Sequence, residues 1–323
     1  MDNDKAKLFI TRALPPEVEA RAIRDYAAII QSEGVILSTD EIINKSAGCD
    51  AILTCPADPL NAKTIGRLSD SIKMIATFSV GYEHVDLGAA SAREIPVTNT
   101  PDVLTDATAD AALLLILGAT RRAAEGMKLI AENKWTGWTP TQLMGSQIGN
   151  KRLGVLGMGR IGQATADRAR AFGMEIHYHN RSRLAPELEK GATYYESAEG
   201  LLAVSDVLSI HCPLTPETKK FLNATRIAML PKGAVVINTA RGPVIDDDAL
   251  IAALKSGHVS AAGLDVFDGE PKLNQGYTKL ENVFLLPHLG SATIETRNAM
   301  GFKALDNLDA FFAGRELPNK VNH

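Results

Sequence analysis

Three glycines stand in one hexapeptide, Gly157-Met158-Gly159-Arg160-Ile161-Gly162, directly after the apolar run at 153–157 and at the head of an amphipathic stretch at 161–172. In a loop of this kind the first glycine permits a tight turn and the second lets backbone approach a pyrophosphate. The third lets helix and strand pack closely, while unpaired N–H groups at the helix start attract the anion. The context gives the pattern its force: strand, helix and a second strand at 175–179 are in register for one βαβ unit. Gly157, Gly159, Arg160, Ile161 and Gly162 are therefore the expected pyrophosphate contacts of an α/β dinucleotide-binding domain.

The rest of the chain carries the same alternation of short apolar runs and amphipathic stretches, as parallel sheets with helical crossovers require. The spacing predicts strands at 7–11, 35–37, 51–54, 74–78 and 95–98 and helices at 17–30 and 39–45. The segment 105–122, apolar on most faces, must lie between packed layers, which places it at a domain junction. Beyond Arg152, further strands are expected at 207–211, 234–238, 261–265 and 283–286, and a last helix at 295–313 that packs back on the first domain. Two domains follow, as expected for 323 residues at roughly 100 to 200 per domain. One is a discontinuous domain of 1–101 and 287–323, and the other a dinucleotide domain of 102–286.

In dinucleotide-binding folds an acidic residue about 20 positions beyond the loop holds the ribose 2′-hydroxyl of NAD. Here that place is taken by Asn180-Arg181-Ser182-Arg183, with two guanidiniums and no carboxylate. An arginine fork suits a 2′-phosphate, so NADPH is the expected cofactor and NADH the weaker one. The plainer alternative is a solvated basic turn.

Composition closes other routes. With 34 Lys and Arg against 38 Asp and Glu, a net charge of −4 argues against nucleic-acid and membrane surfaces. Cys49, Cys55 and Cys212 form no CxxC pair and are read as buried thiols of a reducing compartment. His177 and His179 share one strand face without further spaced ligands, so no metal is expected. Residues 1–7, with Asp2, Asp4, Lys5 and Lys7, do not lead into a secretory apolar run, and the longest apolar run, 111–119, is too short to span a bilayer. A soluble, cytoplasmic protein is expected.

Three polar residues fall at or just beyond the carboxyl ends of expected strands, where open α/β sheets bind ligands: Arg241, Glu270 and His288. An arginine can hold a carboxylate bidentately, and a histidine backed by a carboxylate can act as a general acid. Taken singly, each has an ordinary structural reading. Taken together with the segments GMGRIG (157–162), HCPLTPET (211–218), NTARG (238–242), GLDVFDGEP (263–271) and LPHLGSAT (286–293), they make the chain resemble the D-isomer-specific 2-hydroxyacid dehydrogenase family along essentially its whole length.

The resemblance implies two doubly wound domains, a Rossmann NAD(P)-binding domain and a discontinuous flavodoxin-like substrate domain, with the active site in the cleft between them. It implies that Arg241 fixes the substrate carboxylate and carbonyl, that His288 exchanges the proton and that Glu270 orients and charges His288. Asp265 would sit by the nicotinamide carboxamide, and Thr105, Cys212, Pro213, Thr218, Thr239, Ala240 and Gly290 would line the cofactor.

Phe78-Ser79-Val80-Gly81 and Asn99-Thr100-Pro101-Asp102-Val103-Leu104-Thr105-Asp106 are similar to the glyoxylate and hydroxypyruvate reductases of that family. Val80 and Gly81 would then offer backbone N–H groups to the substrate carboxylate, with Ser291 nearby. The aromatic run 135–140, with Trp135 and Trp138, is expected to form a homodimer contact together with the junction helix, and the resemblance to the reductases implies that Trp138 reaches the neighbouring subunit's substrate pocket. The expected activity is NADPH-preferring reduction of glyoxylate and hydroxypyruvate. A bulkier 2-oxo acid or 2-oxo sugar acid, or a nucleotide-sensing corepressor-like role, stand as alternatives.

Overall fold

A computed structural model describes residues 5–32 and 34–322; Asp2 and Asp4, used above against a leader, lie outside them. The chain divides into two compact units, Met1–Leu104 with Thr293–His323, and Thr105–Ala292.

The first unit runs β1 (Lys7–Ile10), α1 (Pro16–Asp25), β2 (Ala27–Ile30), α2 (Thr39–Lys45), β3 (Ala51–Thr54), α3 (Ala62–Ile65), β4 (Met74–Thr77), α4 (Leu87–Ala92) and β5 (Val97–Thr98). Its sheet is parallel in the order β2-β1-β3-β4-β5, the flavodoxin-like order. Both faces are covered, so Leu8, Phe9 and Ile10 are all buried and the strand reads as an unbroken apolar run. Proline at the start of α1 and a Ser38–Glu41 capping box on α2 set where those helices begin.

The second unit starts with α5 (Thr105–Thr120) and α6 (Ala123–Ala131). It continues through β6 (Arg152–Leu156), α7 (Arg160–Ala171), β7 (Glu175–His179), α8 (Pro186–Glu189), β8 (Thr193–Tyr194), α9 (Ala198–Leu202), β9 (Val207–Ile210), α10 (Ala224–Ile227), β10 (Ala234–Asn238), α11 (Asp247–Ser256), β11 (Val259–Leu264) and β12 (Val283–Leu285). The seven strands are parallel in the order β12-β11-β10-β9-β6-β7-β8. That is the doubly wound dinucleotide order with one strand added, and its reversal point lies between β6 and β9. The apolar α5 is buried inside this unit between α7 and β10–β12. The last helix, α12 (Ile294–Phe312), returns to the first unit, where Ala304, Leu305 and Leu308 pack with Leu8, Ile10 and Met74.

Four expectations are corrected. The helix read over 17–30 stops at Asp25. Tyr26 is extended, buried and bonded through its hydroxyl to Asp309, so the next four residues pair with β1 as β2. The strand expected at 35–37 does not form: only Leu37 is buried there, and Ile36 is exposed. The unit boundaries fall after Leu104 and Ala292 rather than after 101 and 286. The later crossing has a physical cause, because residues 288–290 are bonded to Asp265 of the second unit. Of the three cysteines only Cys49 is buried, Cys55 and Cys212 being half-buried. Among the described residues no helix is long and apolar enough to cross a membrane, and no cluster of His, Cys, Asp and Glu is placed to hold a metal ion.

Candidate active site

At the end of β6 the chain turns through Gly157 with φ 97°, a conformation that side-chain-bearing residues rarely adopt. A Cβ on Gly157 would also lie 2.6 Å from the Cys212 nitrogen, and one on Gly162 would lie 2.4 Å from the Gly157 carbonyl oxygen. These two glycines let α7 start against the strand ends. Gly159 differs: it is extended, and nothing lies within 4 Å of where its Cβ would be. No side chain caps α7, whose first residues are Arg160 and Ile161. Asn180, just past β7, accepts the Met158 N–H at 2.6 Å and ties the loop in place. An uncapped helix start, an open face over Gly159 and a fixed loop are what a pyrophosphate needs.

The neighbouring loops are equally set. His211, just past β9, shares protons with Ser209 Oγ at 2.8 Å and Thr239 Oγ1 at 3.4 Å, and burial holds its pKa down to about 4. Thr218 donates to the Pro213 carbonyl and accepts the Thr215 N–H, both at 2.7 Å, closing the turn that follows Cys212. Burial pushes the Cys212 thiol up to about 11, leaving it without thiolate reactivity. Arg181 and Ser182 are exposed. Arg183, expected beside them as a phosphate contact, is instead bonded to both oxygens of Glu189 at 2.8 and 3.1 Å and lies over the Tyr194 ring. The bonds from Arg183 and Tyr178 pull the Glu189 carboxyl down to about 2.

The three polar residues come from three adjacent strand ends. Asn238, the last residue of β10 and fully buried, accepts the Ala240 N–H at 2.9 Å and donates to the Arg241 carbonyl at 3.0 Å, fixing the turn that presents Arg241. Beyond β11, Asp265 is buried and holds the third turn almost alone. Its backbone carbonyl accepts the His288 N–H at 2.9 Å, and its carboxylate accepts Leu289 N–H at 2.6 Å and Gly290 N–H at 2.8 Å. Burial pushes the Asp265 carboxyl up, and these two N–H groups oppose it. Thr108 of α5 donates to the Gly290 carbonyl at 3.1 Å, and Thr105 opens the same helix.

Held this way, His288 adopts φ 56°, strained for a residue with a Cβ. Its Nδ1 lies 2.7 Å from one Glu270 oxygen, while the other oxygen accepts the Phe267 N–H at 2.8 Å. The bond to Glu270 raises the His288 pKa above its ordinary value against the opposing effect of burial. Burial would raise the Glu270 carboxyl, but the bond to His288 and its charge, with the Arg241 field, bring it below the ordinary range. Because Nδ1 is engaged, Nε2 is the ring nitrogen left to exchange a proton with a ligand.

Residue types and spacing showed Arg241, Glu270 and His288 but not their supports. Asn238 and Gly242 stand in plain view within NTARG, yet their work appears only in three dimensions: a Cβ on Gly242 would lie 1.9 Å from the Phe267 carbonyl carbon, so only glycine lets the Arg241 turn meet the Glu270 loop. Val80 and Gly81 lie past β4 in the first unit, Ser291 follows the clamped turn, and Trp138 is 79% exposed on the second unit.

The chain is similar to known proteins in sequence and in fold. Residues 113–290 match the family model described as D-isomer specific 2-hydroxyacid dehydrogenase, NAD binding domain. Glycerate dehydrogenase of Hyphomicrobium methylovorum is 43% identical over 97% of this chain and 98% of its own. Glyoxylate reductase of Thermococcus litoralis is 40% identical over 98% of this chain and 97% of its own. A solved NADPH-dependent glyoxylate/hydroxypyruvate reductase of Sinorhizobium meliloti, in complex with NADP and malonate, superposes with a TM-score of 0.86 at 32% identity, covering 98% of this chain and 97% of that one.

Proposed function

This chain belongs to the D-isomer specific 2-hydroxyacid dehydrogenase family, and from that premise we propose that it is an NADPH-preferring reductase of small 2-oxo acids, turning glyoxylate into glycolate and hydroxypyruvate into D-glycerate. The observation that carries the reading is the His288–Glu270 pair at 2.7 Å, on a turn clamped by a buried aspartate one strand from Arg241. The nicotinamide nucleotide supplies the hydride.

The chain's own groups supply the rest. Arg241 holds the carboxylate and polarises the carbonyl. His288 passes its Nε2 proton to the carbonyl oxygen, and Glu270 keeps the ring oriented and charged until it does. Asp265 serves this site as the anchor of the His288 turn. Val80, Gly81 and Ser291 are assigned to the substrate, and the protein is assigned to a homodimer in which Trp138 meets the partner's substrate.

NADPH preference rests on Asn180 in place of a carboxylate and on Arg181 with Ser182. Since Arg183 is already paired with Glu189, Arg181 carries the charge-assisted contact. Such bonds contribute about 1.5 to 3 kcal/mol each, which corresponds to roughly 10- to 150-fold at 1.4 kcal/mol per tenfold.

The test is kcat/KM for glyoxylate, hydroxypyruvate and phenylpyruvate with each nucleotide, repeated on Arg181→Ala and Arg183→Ala. We expect the small acids and NADPH to be preferred, with Arg181→Ala losing most of the nucleotide preference and Arg183→Ala little of it. Equal use of both nucleotides by the parent would end the cofactor assignment, and a preference for phenylpyruvate the substrate assignment.

A further inference from the structure

Three successive carbonyls past β4 are each tied into the first unit. The Ser79 carbonyl accepts the Thr100 N–H at 2.9 Å, the Val80 carbonyl accepts Asn99 Nδ2 at 2.8 Å, and the Gly81 carbonyl accepts Ser79 Oγ at 2.5 Å. In a trans peptide the N–H of the following residue points opposite to the carbonyl. Fixing the Ser79 and Val80 carbonyls inward therefore turns the N–H groups of Val80 and Gly81 outward, and neither has a protein partner among the described residues.

Among the described residues the side chain that orients the Val80–Gly81 peptide is that of Asn99, and its own backbone is gripped on both sides. Its N–H donates to the Asn319 carbonyl at 3.2 Å, and its carbonyl accepts Asn307 Nδ2 at 3.1 Å. Asn307 in turn accepts Asn319 Nδ2 at 3.1 Å. Asn307 is fully buried midway along α12, beside Leu305 and Leu308. A leucine would serve that core as packing, so a buried amide that bonds the Asn99 carbonyl and the Asn319 side chain, whose own backbone carbonyl holds the Asn99 N–H, points to a polar task.

We propose that Asn99, braced by Asn307, is a positioning residue that aims the Val80 and Gly81 N–H groups at the carboxylate of the 2-oxo acid. The inference rests on the 2-oxo acid reading of the site, and it names what sets the strength of carboxylate binding on the substrate side. Asn99→Asp keeps the volume of the side chain, removes the donor and sets an oxygen against the Val80 carbonyl. Asn307→Leu removes the brace.

The experiment measures, for the parent and both variants, KM for glyoxylate, the inhibition constant of oxamate and KM for the nucleotide. Asn99→Asp is expected to raise the glyoxylate KM and the oxamate constant at least tenfold, with the loss falling on KM more than on kcat and the nucleotide KM moving less than twofold. Asn307→Leu is expected to follow in the same direction.

Acid constants for Asn99→Asp within twofold of the parent would overturn the proposal, as would a parallel rise in the nucleotide KM, which marks a general loss of structure. Should Asn307→Leu fail to fold, Asn99→Asp decides alone. A parent that reduces no 2-oxo acid would instead sink the functional reading on which the proposal rests.

Discussion

For the role proposed for it, His288 is prepared by its neighbours. Two backbone groups of the turn hang on the Asp265 carboxylate, the ring leans on Glu270, and the resulting pKa lies above the ordinary histidine value. The sign for catalysis follows directly. In the proposed reaction reduction needs the protonated ring, so the rate is expected to fall as pH rises through the raised pKa, and Glu270→Gln should move that falling limb to lower pH.

For stability, the His288 contribution is present below the ordinary histidine pKa and is lost as pH rises through the raised value. The Glu270 contribution is present above the ordinary carboxylate pKa and is lost as pH falls through the lowered value. Both side chains are more than a third accessible or close to it, at 47% and 34%, so solvent screens most of that energy. Glu270→Gln is therefore expected to shift the pH–rate profile while leaving the melting temperature nearly unchanged, and paired pH–rate and thermal melts would check both halves. A variant with an unmoved limb would remove Glu270 from the role assigned to it.

At the scale of elements, the site depends on how closely turns approach one another, and two glycines separate fold from function. Gly242→Ala would drive a Cβ into the Phe267 backbone, which cannot yield as a flexible side chain could. Overpacking of this kind costs about 1–3 kcal/mol, and here it should also part Arg241 from the Glu270 loop. The expected outcome is a lowered melting temperature with turnover down about 100-fold or more. Gly159→Ala meets nothing within 4 Å and has no φ that needs glycine. It should melt like the parent while raising the nucleotide KM, because the added methyl occupies the face assigned to the pyrophosphate.

Some of these elements are legible in the sequence and others are not. Buried parallel strands are short unbroken apolar runs, so β7 and β10 could be read to the residue. β2 could not, because Ala27–Ile30 continues the helix-like composition of α1 and only the Tyr26 anchor to Asp309 separates them. Arg241, Glu270 and His288 stood out through side-chain chemistry. The Asp265 clamp and the Arg183–Glu189 pair did not, since their partners are far apart along the chain or equally apt for a bound phosphate.

At the scale of the whole molecule, the second unit leaves several large apolar side chains exposed along α6 and the segment that follows it. On α6, Met127 and Ile130 are 66% and 69% exposed, and Trp135, Trp138 and Met144 follow on the irregular segment before β6. No residue of α6 is buried, although its sequence is strongly amphipathic in pattern. A helix that pairs a polar face with an uncovered apolar one lacks the partner that would stabilise it. Aromatic and methionine side chains of this kind are those enriched at the buried centre of subunit interfaces, and a second copy of this chain is the partner assigned.

Charge at the centre of such an interface would be left desolvated and unpaired, a cost of several kcal/mol, so Ile130→Glu should shift the protein from dimer to monomer in sedimentation equilibrium. If Trp138 also completes the partner's substrate pocket, the monomeric variant loses turnover with glyoxylate while still binding nucleotide through the Gly157–Gly162 loop of its own second unit. A monomeric parent with full activity at working concentration would dispose of both the dimer and the shared pocket. A dimeric parent whose Trp138→Ala variant turns over normally would dispose of the pocket alone.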